Sequence, residues 1–246
     1  MKKRILTAIV CLPLLILFVS LGGIWLRGIL MLLSWIGLYE LFRAVSGKVL
    51  AVHFAAYGFT GVYYMQLLPL GTVVPAFILA CIVLLVVFYK ETGVRDCFVT
   101  IGGFFYVSFL LSFVYLVRAE HVYWVWLIFI SSSVCDVFAY FTGRFFGKHK
   151  LTGTPSPGKT VEGCIGGVFG AAVVGFIYGS FFEMAVFMMA VSVMGAVFSQ
   201  FGDLFASAIK RSVEIKDFGN LLPGHGGVLD RFDSIIVAAP MVYLLI

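Results

Sequence analysis

The sequence predicts an all-α polytopic integral membrane protein with about nine transmembrane helices and a cytoplasmic N-terminus. Of its 246 residues, 62% are hydrophobic and only 12% charged, whereas a soluble domain is about 45–50% apolar and roughly a quarter charged. The apolar residues also come in runs of about 17–25, the length an α-helix needs to cross a hydrocarbon layer about 30 Å thick. A third observation sets the orientation: Lys and Arg gather in alternate connections, as they do in cytoplasmic loops.

The runs follow one another along the chain. The first, roughly 5–21, stands behind the basic start Lys2, Lys3, Arg4 and has no small-residue cleavage site after it, so it is expected to stay as a span. Further spans are placed at roughly 24–42, 54–70, 73–89, 99–117, 122–142, 163–181, 184–201 and 229–246. The boundary between 54–70 and 73–89 is the least sharp, being little more than Gly71 and Thr72 flanked by Pro69 and Pro75. With the N-terminus inside, the inner segments carry Lys2, Lys3, Arg4, Arg43, Lys48, Lys90, Arg95, Arg144, Lys148, Lys150, Lys159, Lys210, Arg211, Lys216 and Arg231. Only Arg27 and Arg118 of the 17 basic residues fall outside. The net charge of +5 is therefore loop bias with some attraction to anionic lipid, and not a nucleic-acid footprint. The five cysteines form no C-x-x-C pair, so neither a disulfide framework nor a zinc site is indicated.

Residues 153–160, GTPSPGKT, satisfy the P-loop pattern G-x-x-x-x-G-K-[ST]. A P-loop works because a buried strand and an amphipathic helix hold its backbone N–H groups around phosphates. Here a membrane span and the basic linker GRFFGKHK come first, and a Gly-rich apolar run follows. Pro155 and Pro157 also remove N–H donors from the would-be cradle. The nucleotide-fold reading is set aside. What survives is a loop offering an anion the cation of Lys159 and the hydroxyls of Ser156 and Thr160, with Glu162 opening the next helix.

Residues 199–234 hold Asp203, Lys210, Arg211, Lys216, Asp217, His225, Asp230, Arg231 and Asp233, beside helices that otherwise avoid charge. Charged groups there are costly and mark substrate or ion pathways. The eighth span is expected to run on as a helix past the membrane surface, with Asp203, Ser207, Lys210 and Arg211 along one face at i, i+4, i+7 and i+8. That stripe fits a metal-and-phosphate face and a solvated surface equally well. Gly219, Gly224, Gly226 and Gly227 around Pro223 forbid a regular helix and let backbone N–H groups approach an anion. His225 in that loop reads as a structural residue or a phosphate contact, and not as a general base. Asp230 and Asp233 share a face at the start of the last span. Capping the helix dipole is the plain alternative; two acids beside Arg231 favour a divalent cation. Oxygen ligands alone in a phosphate setting point to Mg²⁺ or Mn²⁺ over zinc. Asp136 lies inside the sixth span, about six residues or roughly 9 Å from its expected end. It should face a polar cavity or a cation, or be satisfied by Ser132 and Tyr140 one turn to either side.

The run from Ser207 to Asp233, SAIKRSVEIKDFGNLLPGHGGVLDRFD, resembles the signature of the phosphatidate cytidylyltransferases, or CDP-diacylglycerol synthases: S-x-x-K-R, K-D, H-G-G and D-R-x-D stand at the family's spacing. SPGKTVEG, CDVFAYFTGRFFGK and QFGDLFAS resemble three further family blocks, so the likeness covers the C-terminal half. One departure is Gly158, where the family usually has a Lys; it removes a cation and creates the P-loop match. The resemblance implies an Mg²⁺-dependent, homodimeric enzyme of the bacterial cytoplasmic (inner) membrane, its site facing the cytoplasm. Such an enzyme joins CTP and phosphatidic acid into CDP-diacylglycerol and releases pyrophosphate.

Carried over as catalytic are Asp203, Lys210, Arg211, Asp230 and Arg231; as substrate-binding Ser156, Lys159, Thr160, Lys216, Asp217, His225, Gly226 and Gly227; and as metal ligands Asp136, Asp203, Asp230 and Asp233, with room for a second cation. On that reading 1–120 form a scaffold and dimer contact, while 121–246 carry catalysis with cytoplasmic loops 143–162 and 202–228. The attacking phosphate is already ionised, its second pKa being about 6, so no general base is needed. The competing class is a transporter or channel using Asp136 as an ion relay, against which the ionisable residues cluster at one membrane face. A CDP-alcohol phosphatidyltransferase is disfavoured because its D-G-x-x-A-R block is absent, and a CTP-dependent lipid kinase would release CDP instead of pyrophosphate.

Overall fold

A computed structural model of the chain describes residues 13–151, 153, 155–221 and 226–246. Among them lie nine helices and no strand: α1 (13–21), α2 (Gly23–Ser46), α3 (His53–Tyr64), α4 (Leu70–Val87), α5 (Val94–Glu120), α6 (Val122–Phe146), α7 (Val161–Ser180), α8 (Ala185–Ser212) and α9 (Leu229–Leu245). Six of these, α2 and α4 to α8, are long and apolar enough to cross a membrane. Their outward faces keep Leu79, Val86, Phe98, Phe145, Phe176 and Ile177 exposed, which water would penalise and lipid does not. The basic start Lys2, Lys3, Arg4 lies outside the described residues.

The helix ends follow local chemistry. Gly47 takes the left-handed conformation after α2 at φ 74°, and Arg43 sits in the last turn against the carbonyl end of the dipole. Asp96 reaches back to the Gly93 N–H at 3.0 Å, so α5 starts at Val94 instead of the expected 99. Thr160 caps α7 by accepting from the Gly163 N–H at 3.1 Å. One expectation fails: α3 ends at Tyr64, and its 12 residues reach only about 18 Å, too short for the span placed at 54–70. Gln66 at φ 54° and Pro69 before α4 break the run. α5 and α6 each contain a π-helical stretch, Phe104–Phe109 and Ile130–Val134, that hydropathy does not reveal.

The chain forms two compact units. One takes the residues up to Tyr115 together with Asp217–Arg231; the other takes Leu116–Lys216 with Phe232–Ile246. In the first, the Ser34 hydroxyl donates to Tyr64 at 3.1 Å, Tyr64 donates to the Ser108 carbonyl at 3.0 Å, and Thr60 and Ser108 share a 2.7 Å bond. That buried chain ties α2, α3 and α5 together. In the second, α7 uses glycine for close approach to α6: a Cβ on Gly167 would lie 2.8 Å from the Cys135 carbonyl, and one on Gly163 2.9 Å from that of Ala139.

Candidate active site

In the second unit, the segment after α6 returns as a narrow excursion closed by backbone bonds. Leu151 donates to Lys159 at 3.0 Å, Val161 donates to His149 at 2.9 Å, and Lys150 and Thr160 form an isolated antiparallel bridge. Lys159 and Thr160, the end of the P-loop look-alike, thus stand on the returning arm of that excursion. That arm delivers Lys159 to Asp203 on α8 as an ion pair, with both side chains still partly open to solvent. On the same turn of α8, Gly202 lets α9 approach so closely that a Cβ there would lie 2.6 Å from the Asp233 carbonyl.

Two turns further along α8, Lys210 lies 4.0 Å from Asp233, and the two are 9% and 7% exposed. Lys210 is therefore a buried cation facing a buried carboxylate, and a solvated stripe does not describe it. Its neighbour Arg211, one step round the helix, is exposed and donates to the carbonyls of Pro155 at 3.5 Å and Ile215 at 3.2 Å. The charges of Asp203 and Asp136 both act on Asp233, which places the three acids in one electrostatic neighbourhood.

A cavity of about 470 Å³ opens beside these groups, lined by Asp136, Tyr140, Arg144, Lys159, Thr160 and Gln200 among others. Asp136 is exposed and lies ten residues before the end of α6, which runs to Phe146 and not to the expected 142. The Ser132 hydroxyl donates to Ile128 at 2.9 Å, and Tyr140 accepts from Arg144 at 2.9 Å. A second, apolar groove lined by Ile165, Val168, Phe169 and Ala172 shares Cys164 and Gln200 with the cavity. Gln200 holds that border by donating to the Cys164 carbonyl at 2.9 Å.

In the first unit, the glycine-rich stretch is organised by two carboxylates. Asp230 accepts on Oδ2 from the N–H groups of Phe218 at 2.8 Å and Gly227 at 3.0 Å. Gly226, at φ 88°, sits against Asp230 and Asp217: a Cβ there would come within 3.3 and 3.6 Å of their side chains. Glu40 of α2 accepts on Oε1 from Val228 at 3.0 Å and on Oε2 from Leu229 at 2.8 Å, so it caps the start of α9.

The structure thus gathers Asp136, Lys159, Thr160, Asp203, Lys210 and Asp233 in one unit, and Asp217, Gly226, Gly227 and Asp230 in the other. Lys216, Asp217 and Arg231 are exposed, and Ser156 is half-buried and accepts on its carbonyl from the Lys159 N–H at 3.1 Å. His225 lies outside the described residues. Sequence reasoning missed Glu40, Arg144 and Gln200 as site groups. For Glu40 the signal was present: an acid inside an apolar span is a functional candidate by default.

Among the described residues no three His, Cys, Asp or Glu side chains form a ready cation cage. Mg²⁺ does not require one, since it keeps several waters and takes one or two carboxylates together with substrate phosphates. Asp203 and Asp233, with Asp136 near, are a hard-oxygen set of that kind.

The long apolar helices, the cation-and-acid alternation and the adjoining apolar groove together fit a membrane protein that handles phosphate esters. The cytidylyltransferase family's sequence profile matches residues 2–246, and the chain belongs to that family. It is 32% identical to the phosphatidate cytidylyltransferase of Staphylococcus saprophyticus over 259 residues, covering 100% of this chain and 99% of that one. It is 32% identical over 260 residues to the protein of the same name from Staphylococcus aureus, at the same coverage. The Staphylococcus haemolyticus phosphatidate cytidylyltransferase is 30% identical over 259 residues, again across 100% of this chain and 99% of its own.

Proposed function

We propose that this nucleotidyltransferase transfers the cytidylyl group of CTP to phosphatidic acid, giving CDP-diacylglycerol and pyrophosphate for phospholipid synthesis. The observation that carries the reading is the Lys159–Asp203 and Lys210–Asp233 alternation beside a cavity that also holds Asp136 and Arg144. Full-length likeness to relatives named for this activity supports it.

The obstacle in such a reaction is electrostatic, because a phosphate oxygen of phosphatidate must attack the α-phosphorus of CTP while pyrophosphate leaves. Both partners are anions, so positioned cations do most of the work. Arg144, Lys159 and Lys210 hold phosphate oxygens, and Thr160 adds a hydroxyl. Asp203 and Asp233 keep the two lysines oriented when no substrate is bound. The apolar groove of Ile165, Val168, Phe169 and Ala172 receives hydrocarbon of the lipid, while its headgroup turns through the border at Gln200. In the other unit Arg231 offers phosphate a further cation beside Asp230, the acid of the D-R-x-D motif.

Mg²⁺ is the cofactor that fits Asp203 and Asp233, with Asp136 near; when bound it neutralises charge on the reacting phosphates. The site faces the cytoplasm, where CTP is dissolved, in a bacterial inner membrane, and the enzyme works as a homodimer.

The test is conversion of phosphatidate in detergent micelles with CTP and Mg²⁺, with dCTP and ATP as competitors. Wild type should form CDP-diacylglycerol, and Asp203→Asn should fall by at least about 100-fold while eluting at the same size. Full turnover in Asp203→Asn would remove that acid from the mechanism.

A further inference from the structure

We propose that Glu40 is a positioning residue for the reaction, the buried anchor that sets the backbone at Gly227–Leu229 and through it the carboxylate of Asp230. The proposal rests on the cytidylyl-transfer reading and adds to it a residue from the N-terminal part of the chain.

A carboxylate inside an apolar helix is stable only where donors meet it. Glu40 is 4% exposed, and each of its oxygens takes one backbone N–H, from Val228 at 3.0 Å and Leu229 at 2.8 Å. Asp230 takes two more, from Phe218 and Gly227, on a single oxygen. Two acids therefore share the free N–H groups of one short stretch.

The glycines complete the fit. A Cβ on Gly227 would lie 2.6 Å from Glu40 Oε2, and one on Gly219 would run into the same carboxylate. Gly219 and Gly227 thus both close on Glu40, and neither position has room for a side chain. Gly227 touches both acids, donating to Asp230 while lying against Glu40. A shift at 227–229 must therefore move Asp230.

Glutamine keeps the shape but replaces one acceptor with an amide that donates, so either Val228 or Leu229 would face a donor. Because small displacements of a reacting group cost rate more than fold, Glu40→Gln should lower kcat at least about tenfold and change KM for CTP by less than about twofold. Gly227→Ala attacks the same contact from the other side, so the double variant should be no slower than the worse single one. Ser34→Ala is the control: it removes a buried hydrogen bond of the same helix and should lower the melting temperature while leaving kcat alone.

The experiment is steady-state cytidylyl transfer by these full-length variants in detergent, with hydrogen exchange read at Val228 and Leu229. Glu40→Gln should exchange faster at those two amides and not elsewhere in α9. Wild-type kcat in Glu40→Gln, or a loss matched by Ser34→Ala at equal loss of stability, would overturn the positioning role. Unchanged exchange at 228–229 would overturn the anchor itself. A wild type without turnover would sink the cytidylyl-transfer reading on its own, since the exchange measurement needs no substrate.

Discussion

Lys210 and Arg211 are adjacent in sequence and the same in charge, yet one is buried opposite Asp233 while the other is exposed and bonded to carbonyls. Each residue turns the helix by about 100°, so neighbours on a helix have different tasks. Lys159→Ala should reduce turnover by about 10- to 100-fold and weaken binding of the phosphate-bearing substrates, because it removes a cation aimed at them. Steady-state kinetics at varied CTP and phosphatidate would check this; unchanged constants for both would make Lys159 a structural partner of Asp203. The same variant leaves Asp203 without its ion pair, so Lys159→Arg serves as a second arm and should recover part of the activity.

Asp203 and Lys210 of α8 could be found in sequence because residues seven apart lie on one helix face, whereas Arg211, expected on the same stripe, turns away from it. Glu40 could not be connected to its partners in that way. Its bonds run to backbone N–H groups 188 and 189 positions away, and backbone donors leave no trace in side-chain spacing. Close approach was expected of the glycines of 219–227, and what approaches Gly219 and Gly227 is a carboxylate of the protein itself; Gly224 lies outside the described residues.

At the scale of elements, α7 is the clearest case of sequence dictating packing. Gly163, Gly167 and Gly170 face α6, where added side chains would meet Ala139, Cys135 and Phe138, while Gly175 and Gly179 face α8 at Ser192 and Met188. Gly167→Leu should therefore destabilise the protein by about 1–3 kcal/mol or more through overpacking. Thermal unfolding in detergent would show a lower midpoint, and an unchanged midpoint would mean that α6 and α7 do not need this contact.

Helix identity was legible from apolar runs, and the extension of α8 past 201 to Ser212 was expected from its polar stripe. The length of α3 was misjudged because apolar residues continue beyond Tyr64 although the backbone turns at Gln66. The π-helical stretch at Ile130–Val134 was invisible for a related reason. An inserted residue rotates everything after it, so the face occupied by Asp136 cannot be extrapolated from 122–129.

For the whole molecule, the membrane class follows from six long apolar helices with outward-facing aliphatic and aromatic side chains. The enzyme class follows from membership of the cytidylyltransferase family and from full-length relatives named phosphatidate cytidylyltransferase. Family membership over residues 2–246 extends the likeness into the N-terminal part, where motifs alone had shown only hydrophobicity. Removing divalent cations with a chelator should abolish turnover, and Mg²⁺ should restore it without refolding, because Asp203 and Asp233 are held by the protein and not by the ion. Activity that persists at full rate in chelator would remove the cation from the reaction.

Labelled CTP reads directly which of its bonds is broken. Wild-type protein is incubated with phosphatidate-containing micelles and CTP labelled at either the α- or the γ-phosphate. Cytidylyl transfer puts the α-label into the lipid fraction and the γ-label into free pyrophosphate, in equal amounts. A γ-label appearing in lipid with CDP released, or no label in lipid at all, would rule out cytidylyl transfer.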